Sequence, residues 1–487
     1  MSSRRNFLKK AGLGSLAMAS VSSHAITELT NLNGQAFFQN KETILKGEGK
    51  QIHIKVTAPL FCPYHSLSTP AEKGGNSYYY LSTPFTHNPF TLEASGMSGS
   101  PVIKDAKGKF IGFMTMHGFE NSTYSYDGKK TLTINVPEGQ ELFLDESGNG
   151  DEAWKAYNTI MMKRLNINPY KQIPKFWQDV EYCTWSEQKY LSTKRHEHFH
   201  LLTHDFVKKY LDKIIEYGYP KGKMTLDHGW GMFPDGSVNS GFGSWVPNPE
   251  KFPNFRKTMD MINEKGFTPG LWIGFPKIHK NSLAAQQYPE LLGNFIQGSK
   301  ADRKDDIQWL NGKSDIFEYA TEVISRFYNM GVMKFKIDMS YNTKSDMLDI
   351  HKALYKAAKL IDKNIEMEFH VPDIFFTKYV DVVRTNDVWL NDKYNWKGRV
   401  KTHYEICYKS APGRGINLDH IGGNDTGAIT EKKFLEHLEM YKNKKGYPLV
   451  SVLPHHFGKK CVEKTGAYLW DYEKGAKNIL SDFYHQE

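Results

Sequence analysis

Cysteine is scarce. Cys62, Cys183, Cys407 and Cys461 are the four in 487 residues. They lie far apart, with no Cys-x-x-Cys pair and no histidine spacing suited to zinc. A disulfide framework and a sequence-local zinc site are therefore excluded, and four buried free thiols are expected. Long apolar runs are also missing: none approaches the ~18 residues of a membrane helix, so no membrane partner is expected. No Lys/Arg run interleaved with aromatic residues is present, which removes the case for nucleic acid. No Gly-x-Gly-x-x-Gly loop offers a dinucleotide site, and neither a cofactor nor a metal is expected. Internal repeats and low-complexity linkers are absent as well.

What is present is a long chain, 39% hydrophobic and 14% aromatic, able to build at least one large core and two or three domains. Its first 25 residues, "MSSRRNFLKKAGLGSLAMASVSSHA", run from a Ser-Arg-Arg-x-Phe-Leu-Lys core (Ser3 to Lys9) through a mildly apolar stretch to small residues at Ser23 and Ala25. This segment resembles a twin-arginine export signal. The resemblance implies the export machinery as a transient partner and a periplasmic or secreted mature protein. Arg4, Arg5, Lys9 and Lys10 are its charged residues, so removing the segment leaves +5 of the formal +9. That mild excess is compatible with an anionic substrate.

"GMSGSPV", Gly96 to Val102, looks like the loop around a serine-protease nucleophile, with Ser98 attacking. A nucleophilic serine needs a histidine base, an orienting acid and oxyanion donors. His53, His65 and His87 lie upstream, but a mature chain beginning near Ile26 leaves too little sequence before Ser98 for the usual double barrel. The next stretch, "PVIKDAKGKFIGFMTM", reads as a hairpin turning at Asp105-Ala106-Lys107-Gly108. Ser98 is expected to be structural.

Residues 26–145 alternate short β-type runs with Gly, Asn, Ser and Pro, which predicts a β-sandwich. Helical spacing over 146–172 predicts a connector. From 173 to 487 short apolar strands alternate with amphipathic helices, the pattern of an α/β parallel architecture. Eight strands are read at "VEYCTW", "KMTLDHG", "FTPGLWIGF", "VMKFKIDM", "NIEMEFHV", "DVVRTND", "GINLDHIG" and "YPLVSVLP". Eight units predict a (β/α)8 TIM barrel, with a doubly wound open sheet as the alternative. No C-terminal β-domain is expected after it.

In such a barrel the chemistry sits at the C-terminal strand ends. The polar and aromatic residues there are Glu181, Trp185, Asp227, His228, Trp272, Lys336, Asp338, His370, Arg384, Asp387, Asp419 and His420. The period of two in "KFKIDMS" places Lys336 and Asp338 on one side of their strand. Two carboxylates facing one pocket, one a nucleophile and one a protonated acid, are what glycosidic cleavage requires. A single such Asp is commonly just a helix cap or an ion-pair partner.

The stretch from "MTLDHGWGMFPDGSVNSGFGSWVPNPEKF" through "GLWIGF", "YPELL" and "SRFYNMGVMKFKIDMS" resembles the α-galactosidase superfamily, glycoside hydrolase clan D, especially family 36. The resemblance covers about residues 175 to 455. It implies Asp338 as nucleophile, Asp387 as acid/base, and Asp227, His228, Trp230, Trp272, Lys336, His370 and Arg384 as substrate-binding. It departs from the family where His228 replaces the second acid of an Asp-Asp-Gly-Trp element and where "EFHVPDIFF" replaces a Cys- and Gly-rich segment. The spacing from Arg384 to Asp387 is one residue short, which makes Asp392 a rival acid. The expected function is a retaining, exo-acting α-glycosidase on an oligosaccharide or polysaccharide. A transglycosylase and a non-catalytic carbohydrate-binding protein are the alternatives.

Overall fold

In the computed structural model the described residues are 42–64, 79–92, 97–116, 119, 121–194, 196–233, 241–295, 306–340, 342–392, 395–424, 427 and 429–486. The export-signal segment, His65 and Gly96 lie outside them.

Two antiparallel sheets form the N-terminal region. One has six strands, in the order Glu42–Lys46, Glu141–Asp145, Phe110–Phe113, Val102–Lys104, Leu60–Phe61 and Tyr80–Leu81. The other has four, in the order Lys50–Lys55, Thr131–Val136, Thr123–Tyr126 and Phe85–His87. Along Thr131–Val136 the threonines and asparagine are partly exposed and Leu132, Ile134 and Val136 are buried, as a half-covered sheet requires. The Asp105–Gly108 turn forms as expected: Gly108 has a φ of 84°, and Asp105 Oδ1 accepts from the amides of Lys107 and Lys109 at 2.9 and 2.8 Å.

The helix Gly150–Leu165 is more than a connector. Asn149 caps its start, Asn166 ends it in the left-handed region, and Trp154 and Tyr157 bury their rings against Phe110 on the six-stranded sheet, both at 5.6 Å. On the same helix Asn158 Nδ2 donates to the carbonyls of Lys409 and Phe483, tying the sandwich to the barrel.

Ser98 is 4% exposed, within a loop that serves this junction. Lys344 Nζ donates to the Gly99 carbonyl at 2.7 Å, and Ser100 Oγ accepts from the Ile374 amide at 3.0 Å. Thr91–Leu92 pairs with Asn342–Thr343 beside it. The protease-like string is an anchor between the two regions.

All eight expected strands close into a parallel barrel: Glu181–Cys183, Lys223–Leu226, Thr268–Ile273, Lys334–Ile337, Glu366–Phe369, Val382–Arg384, Gly415–Ile421 and Tyr447–Val450, numbered one to eight below. An unforeseen three-stranded antiparallel sheet, Lys277–His279, Ile307–Leu310 and Leu292–Phe295, is inserted between strands three and four.

Inside the barrel the filling is ionic. Lys334 Nζ contacts Glu368 at 2.7 Å and also Glu181; Lys223 Nζ meets Glu366 at 3.0 Å. Asn417 Nδ2 donates to Glu181 Oε2 and Glu368 Oε2, the same oxygens that Lys334 contacts, and the Tyr447 hydroxyl lies 3.0 Å from Glu366 Oε1 and 2.8 Å from Glu368 Oε2. Each of these side chains is fully buried and has at least one ionic or hydrogen-bonded partner, as buried charge demands, while Glu368 Oε1 accepts no hydrogen bond and has Arg384 Nε at 3.7 Å. Glu181, expected at the mouth, begins strand one level with Lys223 and so belongs to this lower layer.

Candidate active site

The strand ends enclose a cavity of about 160 Å³, a volume on the scale of one sugar ring. Asp338 follows the last residue of strand four, its amide held by the Ile273 carbonyl at 3.1 Å and the chain turned by Met339 at a φ of 67°. Oδ2 accepts from Trp272 Nε1 at 3.0 Å and Oδ1 from the Met339 amide at 2.8 Å. His370 Nδ1 lies 3.3 Å from Oδ1 and Arg384 Nη2 3.7 Å from Oδ2. Burial alone would raise this carboxyl's pKa, but His370, Arg384 and Lys336 outweigh it and hold Asp338 well below the usual carboxylate range. It is a permanent carboxylate, about a quarter exposed, facing the cavity.

A second cluster forms at strand two. Asp227 Oδ2 contacts Lys336 Nζ at 2.7 Å and accepts from Cys183 Sγ at 3.2 Å, while Asp227 Oδ1 accepts from the His228 amide at 2.8 Å. Burial opposes the charge on Lys336, yet Asp227 keeps that ammonium's pKa well above its ordinary value. The thiol-to-carboxylate bond could not be read from the sequence; all four cysteines are indeed buried and free. The His228 ring lies flat on Trp272, with centroids 4.3 Å apart and planes 11° apart, and lines the cavity with it.

Arg384 is the hub. Its Nη1 reaches Asp387 Oδ1 at 3.2 Å and Asp419 Oδ1 at 3.4 Å, and its Nε lies 3.7 Å from Glu368. One buried guanidinium therefore touches four carboxylates, two of which, Asp338 and Asp387, line the cavity. Cations pull Glu368 down to about 2 although burial opposes it: Lys334 first, then Lys336 and Arg384. Asp387, Asp419 and His420 present donor atoms within 4.8 Å of one another, the only such metal-like group among the described residues. Arg384 Nη1 already contacts one oxygen of each carboxylate, so the group reads as an ion pair with a fixed organic cation.

Of the expected site residues, Asp338, Asp387, Asp227, His228, Trp272, Lys336, His370 and Arg384 all line the one cavity. Trp230 does not. It is 1% exposed, donates Nε1 to the Trp272 carbonyl at 2.9 Å and packs on Phe327, behind the wall. Asp392 is also removed: its carboxylate is 78% exposed and pairs with Lys433 at 2.8 Å. Trp185 and His420, also expected at the strand ends, line the cavity too, and Asn386, Trp389 and Met339, which were not foreseen, complete the lining. Trp389 carried a signal, standing two residues beyond Asp387 in a loop after a strand end.

No known family profile matches the chain. A stretch of 267 residues, 48% of this chain, is 19% identical to α-galactosidase C of Emericella nidulans and spans 34% of that protein's length. In three dimensions, 88% of the chain superposes on 89% of an α-galactosidase from Thermus thermophilus bound to p-nitrophenyl α-D-galactopyranoside, with a TM-score of 0.60 and 15% identity. A GH31 α-xylosidase from a soil metagenome, bound to xylose, has a TM-score of 0.60 at 10% identity, covering 89% of this chain and 64% of its own. The barrel and its N-terminal sheets thus have the fold of α-galactosidase-like glycoside hydrolases.

Proposed function

We propose that the protein is a retaining, exo-acting α-glycosidase. The observation that carries this reading is the pair Asp338 and Asp387, carboxylates at the ends of strands four and six, held on one guanidinium and facing one cavity. Asp338, kept ionised, attacks the anomeric carbon; Asp387, closer to solvent, protonates the departing oxygen and later takes a proton from water. Lys336 and Asp227 bind ring hydroxyls. A cavity the size of one ring favours cleavage from a chain end. The solved α-galactosidase and α-xylosidase, bound to a galactoside and to xylose, support the substrate class. A transglycosylase would use the same residues, and a purely sugar-binding protein has no need of both Asp338 and Asp387.

The sugar is proposed to differ from plain α-galactose. A neutral imidazole both donates and accepts, whereas a second carboxylate at position 228 would only accept, so hydroxyl recognition at strand two changes. A panel of aryl α-glycosides tests both statements. Retention of configuration in the first-formed product is expected; inversion, or no turnover of any member, overturns the glycosidase reading. Turnover of unsubstituted α-galactoside above every other member overturns only the sugar.

The same proposal places the enzyme in the periplasm or outside the cell, exported by the twin-arginine machinery. Replacing Arg4 and Arg5 with lysine is expected to retain the precursor in the cytoplasm, because that machinery distinguishes guanidinium from ammonium. Unaltered export of the Lys-Lys variant would refute it.

A further inference from the structure

Strand seven carries a feature that the two-carboxylate scheme leaves unused. Asp419 and His420 are adjacent, yet both turn toward the site, where simple alternation would send one away. The register with strand eight shifts between Asn417 and His420, and Asp419 holds a φ of 63°, strained for an aspartate. A bulge of this kind re-aims side chains next to active sites. It brings Asp419 Oδ1 to 3.1 Å from His420 Nε2, and Nε2 to 4.0 Å from Asp387 Oδ1. Asp419 is 2% exposed and its Oδ2 has no partner.

Resting on the glycosidase reading, we propose that Asp387 and Asp419 share one proton, with Asp419 and His420 holding it in the resting enzyme and Asp387 delivering it to the leaving oxygen. Two carboxylates on the same Arg384 nitrogen cannot both ionise cheaply. The buried one without a second partner is where the proton rests. Burial pushes Asp419 up to about 8, with Asp387 and Glu368 adding to the effect and Arg384 and Lys336 opposing it. Tyr441 and Cys407 face it from the helices behind, both pushed up by burial and thus neutral. Burial holds His420 neutral, and its Nε2, 3.1 Å from Asp419 Oδ1, has no hydrogen-bond partner in the structure.

Charge then balances through both steps. In the first, Asp338 bonds to the anomeric carbon, the glycosidic C–O bond breaks, and the shared proton goes to the leaving oxygen. Asp338 loses its negative charge as an ester while the Asp387–Asp419 pair gains one. In the second, water attacks the same carbon, Asp338 leaves as carboxylate, and water's proton returns to the pair.

The test is Asp419→Asn, which keeps the shape and removes the like charge. With it gone, the last proton on Asp387 is released more readily, so the alkaline limb of kcat/KM is expected to move to lower pH by about one unit or more. The loss of kcat should be at least about tenfold larger for alkyl glycosides, which need a proton, than for dinitrophenyl glycosides. An unmoved limb, or equal loss for both leaving groups in a variant with wild-type thermal unfolding, overturns the proposal. Carbon-13 NMR of the wild-type carboxyls gives a readout that needs no substrate. A carboxyl titrating near pH 8 that disappears in Asp419→Asn supports the shared proton, and its absence refutes it. An enzyme inert to every α-glycoside that still shows this titration would fail the glycosidase reading and leave the dyad standing.

Discussion

Phe110, Phe113, Phe143, Tyr124 and Tyr157 fill the N-terminal sandwich with rings, Phe113 and Tyr124 at 4.7 Å and Phe110 and Phe143 at 5.8 Å. The barrel instead closes around Lys223, Lys334, Glu181, Glu366 and Glu368. Ring contacts gain from burial itself and are indifferent to pH. Buried ions do not: desolvation offsets most of their attraction, so they contribute little net stability yet are expensive to break. What the ionic interior does supply is position. Glu368 reaches up from strand five to Arg384, which spans Asp338 and Asp387. The sandwich core holds a shape, whereas the barrel interior holds a guanidinium in place.

The largest effect that separates the two regions is on turnover. On the proposed mechanism Asp338→Ala removes the attacking atom, and hydrolysis of every substrate is expected to fall by at least about 10³-fold. Asp387→Ala should lose about 10²- to 10⁴-fold on substrates whose leaving groups need a proton, retain more on dinitrophenyl glycosides, and form a glycosyl azide of unchanged anomeric configuration when azide is added. Steady-state rates and product NMR check both. A near-normal Asp338→Ala enzyme would remove the nucleophile from strand four.

The second effect is on stability, and pH tells the regions apart. Lys334→Met leaves Glu181 and Glu368 buried without their main cation, and a loss of about 3–5 kcal/mol is expected at pH 7. Phe110→Ala should also lose about 3–5 kcal/mol, by opening a cavity among rings. Glu368 is held below its unfolded value in the wild type, so its stabilising contribution exists above about pH 4 and vanishes as pH falls toward 2. In Lys334→Met the buried carboxyls left without their cation are expected to take up protons already above pH 4, so that variant's deficit should shrink between pH 7 and pH 4, where the wild type still keeps its ion pair, and that of Phe110→Ala should not. Urea denaturation at both pH values is the measurement; two deficits with the same pH dependence would abolish the distinction.

The same contrast governs how much could be read from the sequence. All eight barrel strands were legible because each is a short apolar run between amphipathic helices, and Asp338 and Lys336 were legible because a period of two puts them on one side of a strand end. The burial of Trp230 was not, since its side chain turns behind Trp272 and only tertiary packing decides that. Nor was the place of Glu181, where the question is which end of a three-residue strand faces the mouth. The bulge at Asp419 breaks alternation, so period-two reading cannot reveal that Asp419 and His420 both face the site. The sheet between strands three and four was missed because Lys277–His279 and Leu292–Phe295 are short and unpatterned. Trp389 lies in a loop, where periodicity says nothing.

Trp389 supplies the smallest of these effects. Its indole is 37% exposed at the rim of the cavity, and Arg399 stacks over the ring at 4.9 Å. A large exposed aromatic, stiffened by a cation and two residues from Asp387, the proposed acid, is placed on that proposal to receive the part of the substrate that leaves, because such an acid must touch the oxygen joining ring and leaving group. Stacking of that kind contributes on the order of 1 kcal/mol. Trp389→Ala is therefore expected to raise KM about threefold to tenfold for substrates with a second sugar ring, with kcat little altered, because the interaction is equal in ground and transition states. A glycosyl fluoride has no ring to stack, and its KM should move much less. An equal rise in KM for the fluoride and the disaccharide would mean that Trp389 shapes the cavity itself, and that the leaving group is held elsewhere on the rim.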